Sequence, residues 1–267
     1  MRNLPPKFLA AMIAVRALPD SPLYEGDNKK IIKEALRDLE MYKTVDVDSV
    51  ILENDFDLPY MKPPLPVDAI KLMTQIAKEI RKRFDKPIGI QMLEAANITS
   101  LEIAAEADLD YIRVESYVFA HVGGSGIIEG CAGPLLRRRK EIKSEHIKVF
   151  ADVKKKHSAH ALTADLDITD EIMQAEFFLV DGVIVTSQFT GIEPKEDDLK
   201  KAKSITKLPV IIGSGMTPEN IKTYLLLADG FIVGSTFRKD GKFLGETDPE
   251  RLQRFVKKIK EERSKLL

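Results

Sequence analysis

The chain has one cysteine, no tryptophan and four histidines among its 267 residues. A single thiol, Cys131, excludes an internal disulfide framework and any multi-cysteine metal site, and it favours a reducing compartment, so the cytoplasm is the expected location. Neither sign of charge is in excess: 41 Lys and Arg stand against 42 Asp and Glu, a formal net charge of -1. No global field therefore draws the protein to nucleic acid or to an anionic membrane. Long apolar runs are also missing. The opening MRNLPPKFLAAMIAVRAL sets a basic residue ahead of an apolar stretch, but Pro5 and Pro6 interrupt it and Arg16 ends it. That pattern reads as a first strand, not as a signal peptide or a membrane-integral segment. His157 and His160 would approach each other on a helix, yet zinc takes three or four ligands and no third is implied.

What is present is a recurring unit. Short β-branched segments at 8–18, 47–54, 87–93, 111–116, 147–153, 182–187, 209–215 and 230–236 are each followed by a stretch of helical periodicity. Their spacing is roughly 30 residues, the size of a βα unit. Eight such units in about 250 residues predict an α/β fold of the (β/α)8 TIM-barrel type, one domain over residues 1–267. Helix starts are marked by Pro66-Val67-Asp68, by Asn97-Ile98-Thr99-Ser100, and by Thr217 as N-cap with Pro218 in the first turn. The run Arg137-Arg138-Arg139-Lys140 lies in a helical stretch and reads as a solvated face. The glycine-rich segment from His121 to Arg139 has low helix and strand propensity, as expected of a mobile loop over the barrel mouth.

In such barrels the active site lies at the C-terminal strand ends, and strand side chains alternate between the interior and the helix layer. Ile112 and Val114 suit the helix layer, which turns Arg113 and Glu115 inward; Val50 and Leu52 likewise leave Glu53 inward at the rim. The same alternation brings Arg16, Gln91, Asp152, Lys154 and Thr186 to the mouth. A ring of such groups is costly to desolvate unless its members pair with each other or with a ligand, so an ion-pair network and a polar substrate site are the two readings. Gly213-Ser214-Gly215 and Gly234-Ser235 follow the seventh and eighth strands, where backbone N–H groups and helix N-termini commonly hold a phosphate. Close strand–helix packing is the other use of those glycines. Glu53, Asp55, Glu115 and Asp152 carry oxygen donors that a hard cation takes, but their spacing singles out no site, and no metal or cofactor is assigned. Cys131 lacks any neighbour in sequence that marks a catalytic thiol.

Five stretches together resemble the BtpA/SgcQ family: MIAVRALPDSPLYEG (12–26), VDSVILENDFDLPY (47–60), GIIEGCAGPLLRRR (126–139), IKVFADVKKKHSAHAL (147–162) and the long segment from Leu208 to Phe243. The resemblance implies a phosphate-binding TIM barrel. It points to Glu53, Asn54, Asp152, Lys156 and His157 as site residues and to Gly213, Ser214, Gly215, Gly234 and Ser235 as the phosphate end. Strand phasing favours Lys154 where the resemblance favours Lys156, and both stand as candidates. The resemblance lapses at Ala14, where the family carries a histidine; at Gln91 to Ala96, where it reads Asn-Val-Leu-Arg-Asn-Asp; and at Glu115, where it has asparagine.

The implied function is binding of a small phosphorylated metabolite, a sugar or nucleotide derivative, with isomerase, lyase and glycosyl-bond hydrolase chemistry all open. Glu53, Glu115 or Asp152 would move a proton, with Lys154, Lys156 and His157 beside them. The alternative is a non-catalytic assembly, sensor or scaffold protein, in keeping with the photosystem I role that gives the family its name. Self-association into a homo-oligomer is expected from the fold class by analogy.

Overall fold

The computed structural model describes residues 2–266. Eight parallel strands close into a barrel: β1 (Phe8–Ala14), β2 (Ser49–Glu53), β3 (Ile88–Gln91), β4 (Tyr111–Val114), β7 (Lys148–Val153), β8 (Gly182–Val185), β9 (Val210–Ile212) and β10 (Gly230–Val233). The order around the barrel is β1-β10-β9-β8-β7-β4-β3-β2. Pairing of Phe8 with Gly230 and of Ala14 with Glu53 fixes β1 between the last strand and the second. Two further strands, β5 (His121–Gly123) and β6 (Gly126–Ile128), form an antiparallel hairpin outside the barrel. All eight barrel strands fall inside the segments predicted from sequence. Several stop short because the chain turns out of extended conformation at the rim, at Ser116 (φ 52°) and Gly215 (φ 81°) for instance.

Alternation along β1 divides the apolar residues into two cores. Leu9, Ala11 and Ile13 face the helices and join Leu39, Leu52, Ile112 and Phe255, whereas Phe8, Ala10 and Met12 face the bore with Ile51, Ile184, Ile211 and Ile232. At the N-terminal end of the bore, three aromatic rings lie against glycines on neighbouring strands. A Cβ placed on Gly230 would come within 2.1 Å of the Phe8 ring, one on Gly89 within 2.1 Å of Tyr111, and one on Gly182 within 2.9 Å of Phe150. The rings fill that end of the bore.

Helices α2 (Val67–Arg81) and α3 (Asn97–Glu106) begin at the signals read in the sequence. The basic run lies in α4 (Ala132–Glu141), where Arg138 pairs with Glu102 and Glu141, and Lys140 pairs with Glu145. One helix start is corrected. The Thr217 hydroxyl accepts from the N–H groups of Glu219 and Asn220, but this caps a turn; the helix itself, α7 (Ile221–Tyr224), has four residues and adds little dipole. No helix is long and apolar enough to cross a membrane among the described residues.

The aromatic plug is tested by Gly230→Ala. The added methyl group meets the Phe8 ring, and overpacking of this kind destabilises by about 1–3 kcal/mol. Urea unfolding should show the loss, and Phe8→Leu on that background should recover part of it.

Candidate functional site

The C-terminal end of the barrel opens into a cavity of about 460 Å³. Arg113, on β4, lies at its floor. Its Nε and Nη2 donate to the two oxygens of Asp152 at 3.0 Å each, a bidentate grip, and its Nη1 donates to Oε1 of Glu53 at 3.1 Å. All three side chains are buried. Burial opposes the guanidinium charge, but Asp152 and Glu53 outweigh it and raise the pKa of Arg113. Glu53, Asp152 and Arg113 are thus brought together at the C-terminal ends of β2, β7 and β4, and they form a cluster with one negative charge in excess.

Around this cluster stand groups with no partner. Asp55 is buried and its Oδ2 has none among the described residues, nor have the two amide atoms of Gln91. Burial first, then the neighbouring Glu53, pushes the carboxyl of Asp55 well above the usual carboxylate range. Lys156 lines the same cavity and makes no ion pair among the described residues. Burial, then the like charge of Arg113, lowers its amine to about 8, against the pull of Glu53, Asp152 and Asp55. Buried polar atoms usually find a partner, so several orphans on one wall mark a place built for something else.

A second network, which the sequence did not disclose, centres on Lys155. Its Nζ sits 2.9 Å from Glu94 and 3.2 Å from Glu115. Burial works against its charge, but Glu115 and Glu94 prevail and raise its pKa. Glu115 also accepts from the N–H of Ala95 at 2.7 Å, and Glu94 accepts from the N–H of Ser125 at 3.0 Å and from its hydroxyl. Ser125 is in the turn between β5 and β6. The glycine-rich segment is therefore corrected from a loose loop to a hairpin followed by α4, tied down over the mouth by Glu94. Gly126 supplies the turn with φ 100°, and a Cβ on Gly123 would sit 2.6 Å from Oε1 of Glu94.

Other expected site residues fall elsewhere. Lys154 does not face the mouth: it takes up φ 46°, and its Nζ donates to the carbonyls of Thr163 at 3.2 Å and Leu166 at 2.9 Å. Alternation holds only while the backbone is extended, and Lys154 is the first residue past β7. Arg16, two residues beyond β1, also points away from the cavity, pairing with Glu34 and stacking 4.3 Å over Phe56. His157, by contrast, lines the cavity from its exposed rim, its Nε2 2.9 Å from Oγ1 of Thr190 and its ring edge-on to Phe189. Asn54 binds the backbone of Leu93 at both N–H and carbonyl and so holds the loop after β3. Thr186 accepts from the N–H of Lys156 at 3.2 Å. The Cys131 thiol is pushed up to about 12 by burial, and its Sγ accepts from Asn97 Nδ2 at 3.1 Å.

The glycine turns after β9 and β10 form another wall. Packing alone requires glycine there: a Cβ would come within 2.7 Å of Ile184 at Gly213, 2.3 Å of the Ile192 backbone at Gly215 and 2.8 Å of Met12 at Gly234. The glycines by themselves therefore do not argue for an anion. The N–H groups do: those of Ser214, Gly215, Ser235 and Thr236 find no acceptor among the described residues, and all four residues line the cavity. Ser214 Oγ accepts from the N–H of Gly191, which pins the turn. Among the described residues no group of three or more His, Cys, Asp or Glu is placed to hold a metal ion.

Fold and site together define a (β/α)8 barrel with an ion-paired mouth and two small-residue turns on its last two strands. The chain belongs to the BtpA family, whose sequence model matches residues 6–261. It is 38% identical over 253 residues to an uncharacterised mitochondrial protein of Caenorhabditis elegans, covering 93% of this chain and 91% of that one. It is 32% identical to the photosystem I biogenesis protein BtpA of Synechocystis, covering 91% and 85%. Among solved structures it is similar to the tryptophan synthase alpha-subunit of Pyrococcus furiosus, with a TM-score of 0.62, 19% identity and coverage of 98% and 100%. It is also similar to N-(5'-phosphoribosyl)anthranilate isomerase of the same organism, with a TM-score of 0.59, 14% identity and coverage of 96% and 99%. At those identities the likeness shows the fold.

Removing the guanidinium tests the cluster. Arg113→Met strands two buried carboxylates and should lower stability by about 3–5 kcal/mol in urea unfolding. Arg113→Lys keeps the charge but loses the bidentate grip, and its loss should be intermediate.

Proposed function

We propose that the protein binds a small phosphorylated metabolite in this cavity and acts on it by acid–base chemistry. The phosphate lies on the N–H groups of Ser214, Gly215, Ser235 and Thr236, and Gly213 and Gly234 keep that wall clear of side chains. The rest of the molecule reaches the Arg113 cluster, Asp55, Gln91 and Lys156. In the barrel order β10 stands four strands from β4, which carries Arg113, and β9 four strands from β3, which carries Gln91, whereas Asp55 after β2 and Lys156 after β7 flank the N–H wall two to three strands away. The observation that carries the reading is the meeting of unpaired N–H donors with unpaired acid and amine groups in the lining of one cavity of ligand size. The name of the phosphoribosylanthranilate isomerase, which shares the fold, agrees with a phosphate ester as the ligand class. A single, half-buried free thiol fits a reducing compartment.

The name of the Synechocystis relative, a photosystem I biogenesis protein, supports a second reading, a non-catalytic assembly, sensor or scaffold protein that binds the same ligand. Thermal melts against inorganic phosphate, sugar phosphates and nucleotides test the shared part: a native-state ligand at about 100 times its Kd adds about 2.7 kcal/mol and raises Tm. Ser235→Asp, which sets a carboxylate on the N–H wall, should abolish that rise without lowering the basal Tm appreciably. A panel in which neither phosphate nor any phosphorylated compound moves Tm would sink both readings. With a ligand in hand, turnover that Glu53→Gln removes separates the enzyme from the sensor.

A further inference from the structure

Three lysines follow one another at the end of β7, and the fold gives each a different fate. Lys154 turns outward and is spent on the carbonyls of Thr163 and Leu166. Lys155 is closed between Glu94 and Glu115. Lys156 reaches the cavity, and its Nζ has neither an ion pair nor a hydrogen bond among the described residues. Its backbone is not free: the N–H donates to Thr186 Oγ1 at 3.2 Å, which anchors the residue to the chain just past β8. The carboxylates that would ordinarily neutralise an ammonium here, Glu53 and Asp152, are held by Arg113. A lysine kept for charge alone would be placed against a carboxylate, as Lys155 is. One left without an ion pair, beside a guanidinium that holds the nearby carboxylates, is suited to being a free amine.

We infer that Lys156 is a nucleophile that forms an imine with the carbonyl carbon of a phosphorylated aldehyde or ketone, a deepening that rests on the phosphate-site reading above. The uncharged Nζ attacks the carbonyl carbon, a C–N bond forms, and the π pair moves to oxygen, which takes the proton of the Asp55 carboxyl. Nitrogen then gives up a proton to the Asp55 carboxylate. The C–O bond breaks as water leaves with that proton, the nitrogen lone pair closes the C=N bond as an iminium, and the iminium N–H proton returns to the Asp55 carboxylate to give the neutral imine. The balance is one carbonyl and one amine to one imine and one water, with no oxidant or reductant. Asp55 suits the part because it lines the cavity and its Oδ2 has no partner among the described residues. Its raised carboxyl pKa keeps a proton available, and the amine pKa of Lys156, near 8, makes the neutral form accessible just above neutrality.

The intact protein treated with D-glyceraldehyde 3-phosphate and sodium cyanoborohydride, followed by peptide mass mapping, tests this. The expected result is one dominant adduct, on Lys156, suppressed by inorganic phosphate and much weaker with unphosphorylated glyceraldehyde. Its yield should rise with pH through a midpoint near 8, where an exposed lysine would still be rising well above that. Lys156→Arg, with its fold checked by an unchanged unfolding midpoint, should take no dominant label. Label scattered over surface lysines with Lys156 unmodified, in a protein whose Tm phosphate still raises, overturns the imine and leaves the phosphate site standing. Label on Lys156 that phosphate does not reduce overturns the phosphorylated class. No Tm response to phosphate and no protection by it overturns the underlying site reading itself.

Discussion

The grip of Arg113 on Asp152 and Glu53 sets the character of the mouth. It joins β4 to β7, its neighbour, and to β2, two strands away, directly above the apolar filling of the bore. An ion pair this deeply buried is a poor source of net stability, because desolvation of the charges consumes most of their attraction, and well-packed apolar residues would do as well. What it provides is electrostatic division of labour. Two carboxylates are spoken for, so the acid with a proton to give is Asp55 and the amine without a counter-ion is Lys156.

Much of this was legible in the sequence. The β-branched segments located every barrel strand, and alternation placed Arg113, Glu53 and Asp152 correctly because each lies within a strand or at its last residue. Alternation failed at Lys154 and Arg16 for one reason: both lie beyond the strand end, where a single left-handed residue or a bend reverses the direction of a side chain. The resemblance, which follows sequence order and not strand phase, pointed to Lys156. Lys155 was missed because its role depends on two acids far away in sequence. The hairpin was read as a loop because its strands have only three residues each; its register is secured by Glu94, a tertiary contact that no local propensity records.

Those same acids change the meaning of the positions at which the resemblance lapses. Glu94 and Glu115 look in sequence like acidic replacements that disable a site. In the fold both are partners of Lys155, and Glu94 is also the anchor of the hairpin turn. They act on the mouth by holding its cover and by removing one lysine from play, which leaves Lys156 as the cavity's unpaired amine. The altered rim is thus a reinforced one, and it gives no ground for supposing that the chemistry has been lost.

The distribution of charge also dictates which way round a ligand must lie. A phosphate dianion set against the β2–β4 side would face the Arg113 cluster, whose Glu53 and Asp152 leave one negative charge in excess, with only a weakly basic Lys156 to offset it. Two unit charges about 4 Å apart repel by about 4 kcal/mol at an effective dielectric near 20, enough to reverse a preference outright. On the β9–β10 side the same dianion meets N–H dipoles and no acidic side chain among the cavity-lining residues of those turns. The glycines that packing demands there also exclude any side chain that could screen those dipoles. The orientation of the proposed ligand therefore follows from repulsion at one wall as much as attraction at the other, and in that reading its unphosphorylated end meets Asp55 and Lys156.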